Sequence, residues 1–173
     1  MNLCYLIADQ IHRLRALREP EQGHARQKDD GAYWRWQYES SRDYFAKFFD
    51  LEGRLGDAEV IDIGCGLEAR TCYLAKQGVR RIVGTDTNHV EIDRAIQLAE
   101  QLGDSETRQA VGFEKVNENE TNSNSMQFDV ALLVDSLEHV RSPAAMLDQA
   151  YSLLKPGGTC YFSTWGCPLR HSA

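Results

Sequence analysis

No stretch of this sequence approaches the roughly 18 consecutive apolar residues that a membrane-crossing helix requires, so no membrane span is expected. The N-terminus lacks the basic start and long apolar centre of a secretory signal. A surplus of positive charge is also missing: 19 Lys and Arg stand against 26 Asp and Glu, a formal net charge of −7. Generic binding to nucleic acid or anionic membrane draws on clustered Lys and Arg, so no nucleic-acid partner is expected. The five cysteines (Cys4, Cys65, Cys72, Cys160 and Cys167) include no C-x-x-C pair. That pattern suits neither a zinc site nor a disulfide framework; reduced thiols in a cytoplasmic protein are expected, with no metal. No internal repeat is visible.

What is present suits one domain with a sizeable core: 173 residues, 42% hydrophobic and 26% charged. Residues 1–57 read as an N-terminal helical extension or lid. Leu3, Leu6, Ile7, Ile11, Leu14 and Leu17 recur at helical spacing, followed by a polar connector at 19–31. Trp34, Tyr38, Phe45 and Phe49 lie four, seven and four residues apart, a helical three-to-four spacing that predicts a helix with an aromatic face. That face packs on a sheet, or forms a flap in which Trp34 or Tyr38 touches ligand or substrate.

Residues 58–173 alternate strand and helix. Strands are predicted at 59–63, 81–85, 110–116, 128–134 and 159–164, with helices at 67–77, 88–102 and 143–154. Phe128-Asp129-Val130-Ala131-Leu132-Leu133-Val134 is, apart from Asp129, apolar on successive positions, as in a central strand buried on both faces. The alternation predicts an α/β, Rossmann-like three-layer sandwich with a mainly parallel sheet of five strands and added N-terminal helices.

Val60-Ile61-Asp62-Ile63-Gly64-Cys65-Gly66 carries the most chemistry. A β-branched strand runs into two glycines separated by one residue, which suits a tight strand-to-helix turn with the backbone open to a ligand. Asp86 lies twenty positions beyond Gly66, at the end of a second apolar run. A carboxylate there accepts from ribose hydroxyls, so the pair predicts a nucleoside-type cofactor. Asp62, two residues before the first glycine, would repel a pyrophosphate and attract an ammonium or sulfonium.

Four motifs in order across residues 60–164 resemble those of class I S-adenosylmethionine-dependent methyltransferases of the small-molecule branch. They are Val60–Gly66, Val83-Gly84-Thr85-Asp86, Phe128–Val140 and Leu153-Leu154-Lys155-Pro156-Gly157-Gly158. The resemblance implies S-adenosyl-L-methionine as cofactor and methyl transfer to a small-molecule acceptor. It places Gly64, Cys65 and Gly66 against the methionine and ribose, with Asp62 near the amino group. Asp86 would hold the ribose hydroxyls, Thr87 and Asn88 would flank the adenine, and Asn117 or Glu118 would meet its amino group. Asp135, Ser136 and Leu137 would line the junction of cofactor and acceptor. His139 is the candidate general base, and Glu138 a solvated charge.

Family members usually add two strands after the fifth, one of them antiparallel, and residues 165–173 look too few for a further helix and strand. The expectation is therefore an exposed fifth-strand edge, covered by a second copy, by another chain or by the N-terminal helices, or else a fragment. A non-catalytic S-adenosylmethionine-binding accessory protein and a nicotinamide-dependent oxidoreductase are the alternatives to the enzyme.

Overall fold

A computed structural model describes residues 30–49, 51, 55–67, 69–117, 127–164 and, for the backbone, 169–172. The predicted helix over residues 1–18 and most of the 19–31 connector lie outside these residues, as does most of the 117–125 loop.

The elements in chain order are α1 (Asp30–Phe48), β1 (Glu59–Ile63), α2 (Ala69–Ala75), β2 (Arg81–Asp86), α3 (His89–Leu102), α4 (Ser105–Ala110) and β3 (Val111–Lys115). After these come β4 (Phe128–Val134), a 3₁₀ turn (Leu137–His139), α5 (Pro143–Leu153), β5 (Leu154–Ser163) and β6 (Leu169–Ser172). The sheet order is β3-β2-β1-β4-β5-β6. Five strands are parallel, and β6 runs antiparallel to β5 with Phe162 opposite Leu169 and Thr159 opposite Ser172.

That last pairing corrects the expectation for the β5 edge. A parallel neighbour needs a long crossover, but an antiparallel one needs only a short return. Residues 169–172 therefore suffice to pair with β5, and the sheet's edge passes to β6. A second copy is no longer required to cover β5.

Side-chain alternation along the strands divides the core. Val60, Ile82, Val130, Leu132 and Tyr161 pack with Phe45 of α1, Phe49 just beyond it and Leu74 of α2. Ile61, Ile63, Val83, Ala131 and Leu133 face the other way, against Ala150 and Leu153 of α5. The apolar run of β4 is buried on both faces for this reason. Lys155-Pro156-Gly157-Gly158 was expected to separate helix from strand. Instead it is an outpocketing within β5, where Phe128 pairs with Leu154 and Val130 already pairs with Thr159.

Caps fix where the helices begin. Asn88 Oδ1 accepts from the backbone N–H of Val90 and Glu91 to open α3, and Ser142 Oγ accepts from the Ala145 N–H to open α5, whose first residue is Pro143. Among the described residues no helix is long and apolar enough to cross a membrane.

Candidate functional site

The carboxyl ends of β1, β2 and β4 converge on the glycine turn. Gly64 and Gly66 have φ of +78° and +52°, conformations that glycine adopts without steric cost. The N–H groups of Gly64 and Cys65 both donate to the Thr85 carbonyl, at 2.7 and 3.0 Å, which pins the turn to β2. Cys65 is buried, its sulfur lying over Gly84, where a Cβ would approach it to 2.8 Å. Asp86 closes the arrangement: Oδ2 accepts from the Gly66 N–H and Oδ1 from the Asn88 N–H, each at 2.8 Å. An ionised carboxylate has about four acceptor positions, so these two bonds leave capacity toward a ligand. Beside Gly66 the nearest atom to an added Cβ is Glu91 Oε2 at 4.0 Å, so that side of the turn is open.

Asp62 lies beneath the turn, 3% exposed, and accepts from Thr71 Oγ at 2.6 Å. Burial pushes its carboxyl up to about 6, opposed by the Thr71 hydroxyl and the Arg70 charge. The folded protein therefore holds this proton more tightly than the unfolded chain does. Its contribution to stability is greatest at low pH, and is lost as pH rises from about 4 to about 6. Two pKa units correspond to about 3 kcal/mol. Asp62→Asn removes that slope, so urea unfolding at pH 4 and pH 7 should show the variant gaining about 3 kcal/mol on the parent at the higher pH. A constant difference across that range would contradict the assignment.

Beyond β4 the chain turns sharply. Asp135 has φ +50°, a left-handed conformation for a residue that is not glycine. Its Oδ1 accepts from Ser163 Oγ at 2.8 Å and from the Tyr44 hydroxyl at 3.1 Å, and Arg70 Nη1 stands 3.7 Å from Oδ2. Ser136 is 5% exposed, and its Oγ is buried without a hydrogen-bond partner among the described residues. Leu137 joins the core beneath. In a 3₁₀ turn successive side chains point about 120° apart, so Leu137, Glu138 and His139 face three directions. His139 is exposed. Glu138 is not the solvated charge expected: both carboxylate oxygens are buried, with no partner among the described residues.

The other predicted residues spread out. Thr87 and Asn117 are exposed, and the Asn88 side chain is engaged in capping α3. Trp34 is 4% exposed among Ala69, Cys72, Leu98 and Ala99, with Tyr38 stacked on it at 5.2 Å. Both fill the seam between α1 and the helices beside it.

Sequence reasoning missed Tyr44, Arg70, Ser163 and Gln37. Arg70 lies 4.3 Å from the Tyr44 ring centroid, and Gln37 Oε1 accepts from the Ala69 N–H that opens α2, at 3.4 Å. No motif flags them. For Gln37 the available signal was a polar position on an otherwise aromatic helix; Arg70 and Ser163 carried none.

A parallel sheet in this order, with a glycine turn after β1 and an acid closing β2, defines a nucleoside-binding α/β protein of the methyltransferase type. The chain belongs to the class I S-adenosylmethionine-dependent methyltransferases: residues 5–173 match the family described as "Methyltransferase domain". It is 32% identical over 106 residues to a ubiquinone biosynthesis O-methyltransferase of Actinobacillus pleuropneumoniae, covering 61% of this chain and 45% of that protein. A mitochondrial ubiquinone biosynthesis O-methyltransferase of Dictyostelium discoideum is 33% identical over 110 residues, covering 61% and 34%. The chain thus spans less than half the length of these relatives. Among solved structures, an S-adenosylmethionine-dependent methyltransferase of Mesorhizobium loti superposes with a TM-score of 0.56 at 20% identity, covering 74% of this chain and 53% of that one. The cyclase SpnF superposes at 0.60 and 22% identity, covering 80% and 48%. At these identities the likeness shows the fold alone.

Proposed function

We propose that this chain binds S-adenosylmethionine at the carboxyl ends of β1, β2 and β4, and that it transfers the methyl group to an oxygen of a small-molecule acceptor. The observation that carries the reading is Asp86, held by the N–H groups of Gly66 and Asn88 with acceptor capacity to spare beside an open glycine turn. The O-methyltransferase relatives support the choice of oxygen.

When bound, S-adenosylmethionine supplies a methyl carbon activated by a positively charged sulfur. The chain's own tasks are alignment and exclusion of water. Asp86 holds the ribose hydroxyls, and Thr87 and Asn88 border the adenine with Asn117 at its far edge. Gly64, Cys65 and Gly66 bring backbone close to the ligand, and a Cβ at position 66 would fill that space. Asp62 stabilises positive charge from below, directly or through water. The buried Ser136 hydroxyl, without a partner among the described residues, borders the junction with the acceptor together with Asp135 and Leu137. A hydroxyl acceptor must lose its proton, and His139, exposed on the turn after β4, is the candidate base. The setting proposed is cytoplasmic, in keeping with free Cys65, Cys72 and Cys160.

Separate calorimetric titrations with S-adenosylmethionine and NAD test the cofactor. Binding of the first alone supports the reading; binding of NAD alone would replace it with the oxidoreductase. Incubation with a panel of phenols and catechols, read by mass spectrometry, tests turnover. Cofactor binding with no methylated product would favour the accessory role. In an active preparation, His139→Gln should lower kcat while leaving cofactor affinity unchanged.

A further inference from the structure

Asp135 is one of two non-glycine residues with positive φ among the described residues. Such a conformation costs roughly 1–2 kcal/mol, and persists only where the surroundings over-determine it. Here they do. The Asp135 N–H donates to the Ser163 carbonyl at 3.2 Å and meets Ser163 Oγ at 3.1 Å. Its Oδ1 lies 2.8 Å from the Ser163 hydroxyl and 3.1 Å from that of Tyr44, the two hydroxyls stand 2.7 Å apart so that their two protons are shared among these three contacts, and Arg70 faces its Oδ2. Ser163 follows from strand pairing, since it sits opposite Val134 in the β4–β5 register. Tyr44 does not: it reaches Asp135 from α1, across 91 positions of sequence.

What the turn controls is the residue after it. The Ser136 Cβ lies 2.7 Å from where a Cβ on Gly64 would be, so the chain after β4 presses directly on the glycine turn. A small rotation at Asp135 moves Ser136 toward or away from that turn. We propose that Tyr44 is a positioning residue: its hydroxyl, with Ser163, holds the Asp135 carboxylate and so fixes the left-handed turn that seats Ser136 against Gly64. The seating of α1 is thereby linked to the geometry of the cofactor site. Burial pushes the Tyr44 phenol up to about 12, so at neutral pH it keeps its proton and acts as a hydrogen-bonding strut. The ring does a separate job, packing against Phe45 and Phe49 and beneath the Arg70 guanidinium.

This inference rests on the cofactor reading above, and Tyr44→Phe in the full chain tests it with two readouts. Hydrogen–deuterium exchange at residues 135–137 should quicken at least fivefold, while exchange along α1 stays within twofold because the ring still packs. Affinity for S-adenosylhomocysteine, by calorimetry, should fall at least fivefold. Ser163→Ala should reproduce both changes. Unchanged exchange at 135–137, or equal loosening of α1 and the turn, would overturn the proposal, as would unchanged affinity in a parent that binds. A parent that binds no S-adenosylhomocysteine would sink the cofactor reading instead, and the exchange measurement alone would then decide the role of Tyr44.

Discussion

Alanine at position 86 should weaken S-adenosylmethionine binding by about 3 kcal/mol, on the order of a hundredfold, the scale for losing hydrogen bonds to a charged acceptor. The loss has two sources. The ribose hydroxyls lose their acceptor, and the Gly66 and Asn88 N–H groups lose the carboxylate that ties the glycine turn to the start of α3. Asp86→Asn keeps one acceptor oxygen, so it can retain one of the two ties and should fall between parent and alanine. Calorimetry on the three proteins checks this. Parental affinity in a folded Asp86→Ala variant would remove the ribose assignment, and with it the placement of the cofactor.

Valine at position 64 should abolish binding and destabilise the protein by about 2–5 kcal/mol. From sequence alone a branched side chain there is expected to fill ligand space and leave the fold intact. The structure revises that expectation. A Cβ at this position would lie 2.7 Å from Ser136 Cβ and 3.2 Å from Met146 Cε, on a backbone with φ +78°. The left-handed conformation costs roughly 1–2 kcal/mol for a residue with a Cβ, and overpacking adds about 1–3 kcal/mol. Calorimetry reads the loss of binding and urea unfolding the loss of stability. Gly66→Ala separates them, because at position 66 a Cβ meets nothing closer than 4.0 Å. That variant should lose only about 1–2 kcal/mol of stability to backbone strain, yet bind at least tenfold more weakly because its methyl group occupies the open side of the turn. If Gly66→Ala binds like the parent, the ligand does not approach that glycine.

Much of this protein was legible in one dimension because the relevant physics is local. The apolar run Val130–Val134 of β4 announced burial on both faces, and the β-branched strand running into Gly64 and Gly66 announced a sharp exit with the backbone bare. Asp86 was readable because it ends a second apolar run twenty positions past that turn. Asn88 was read as an adenine neighbour, whereas its side chain first caps α3; the sequence allows both and only the folded structure shows the bond. Residues 169–172 were discounted by counting a parallel crossover where an antiparallel return was enough. Glu138 looked like an ordinary surface acid, because nothing in its neighbours reveals that a 3₁₀ turn withdraws its oxygens from water.

The sequence by itself determined the alternation of strands and helices, the parallel sheet, the glycine turn and the acid that faces it. Hydrophobic periodicity and glycine conformations act over a few residues and leave their mark in order along the chain. Tertiary structure alone decided that Tyr44, Arg70 and Ser163 meet Asp135, and that Ser136 closes on Gly64. Those contacts join α1, α2, β4 and β5 across tens of positions. A hydroxyl or guanidinium has no preferred partner until packing sets the distance between them, so no local pattern encodes the meeting.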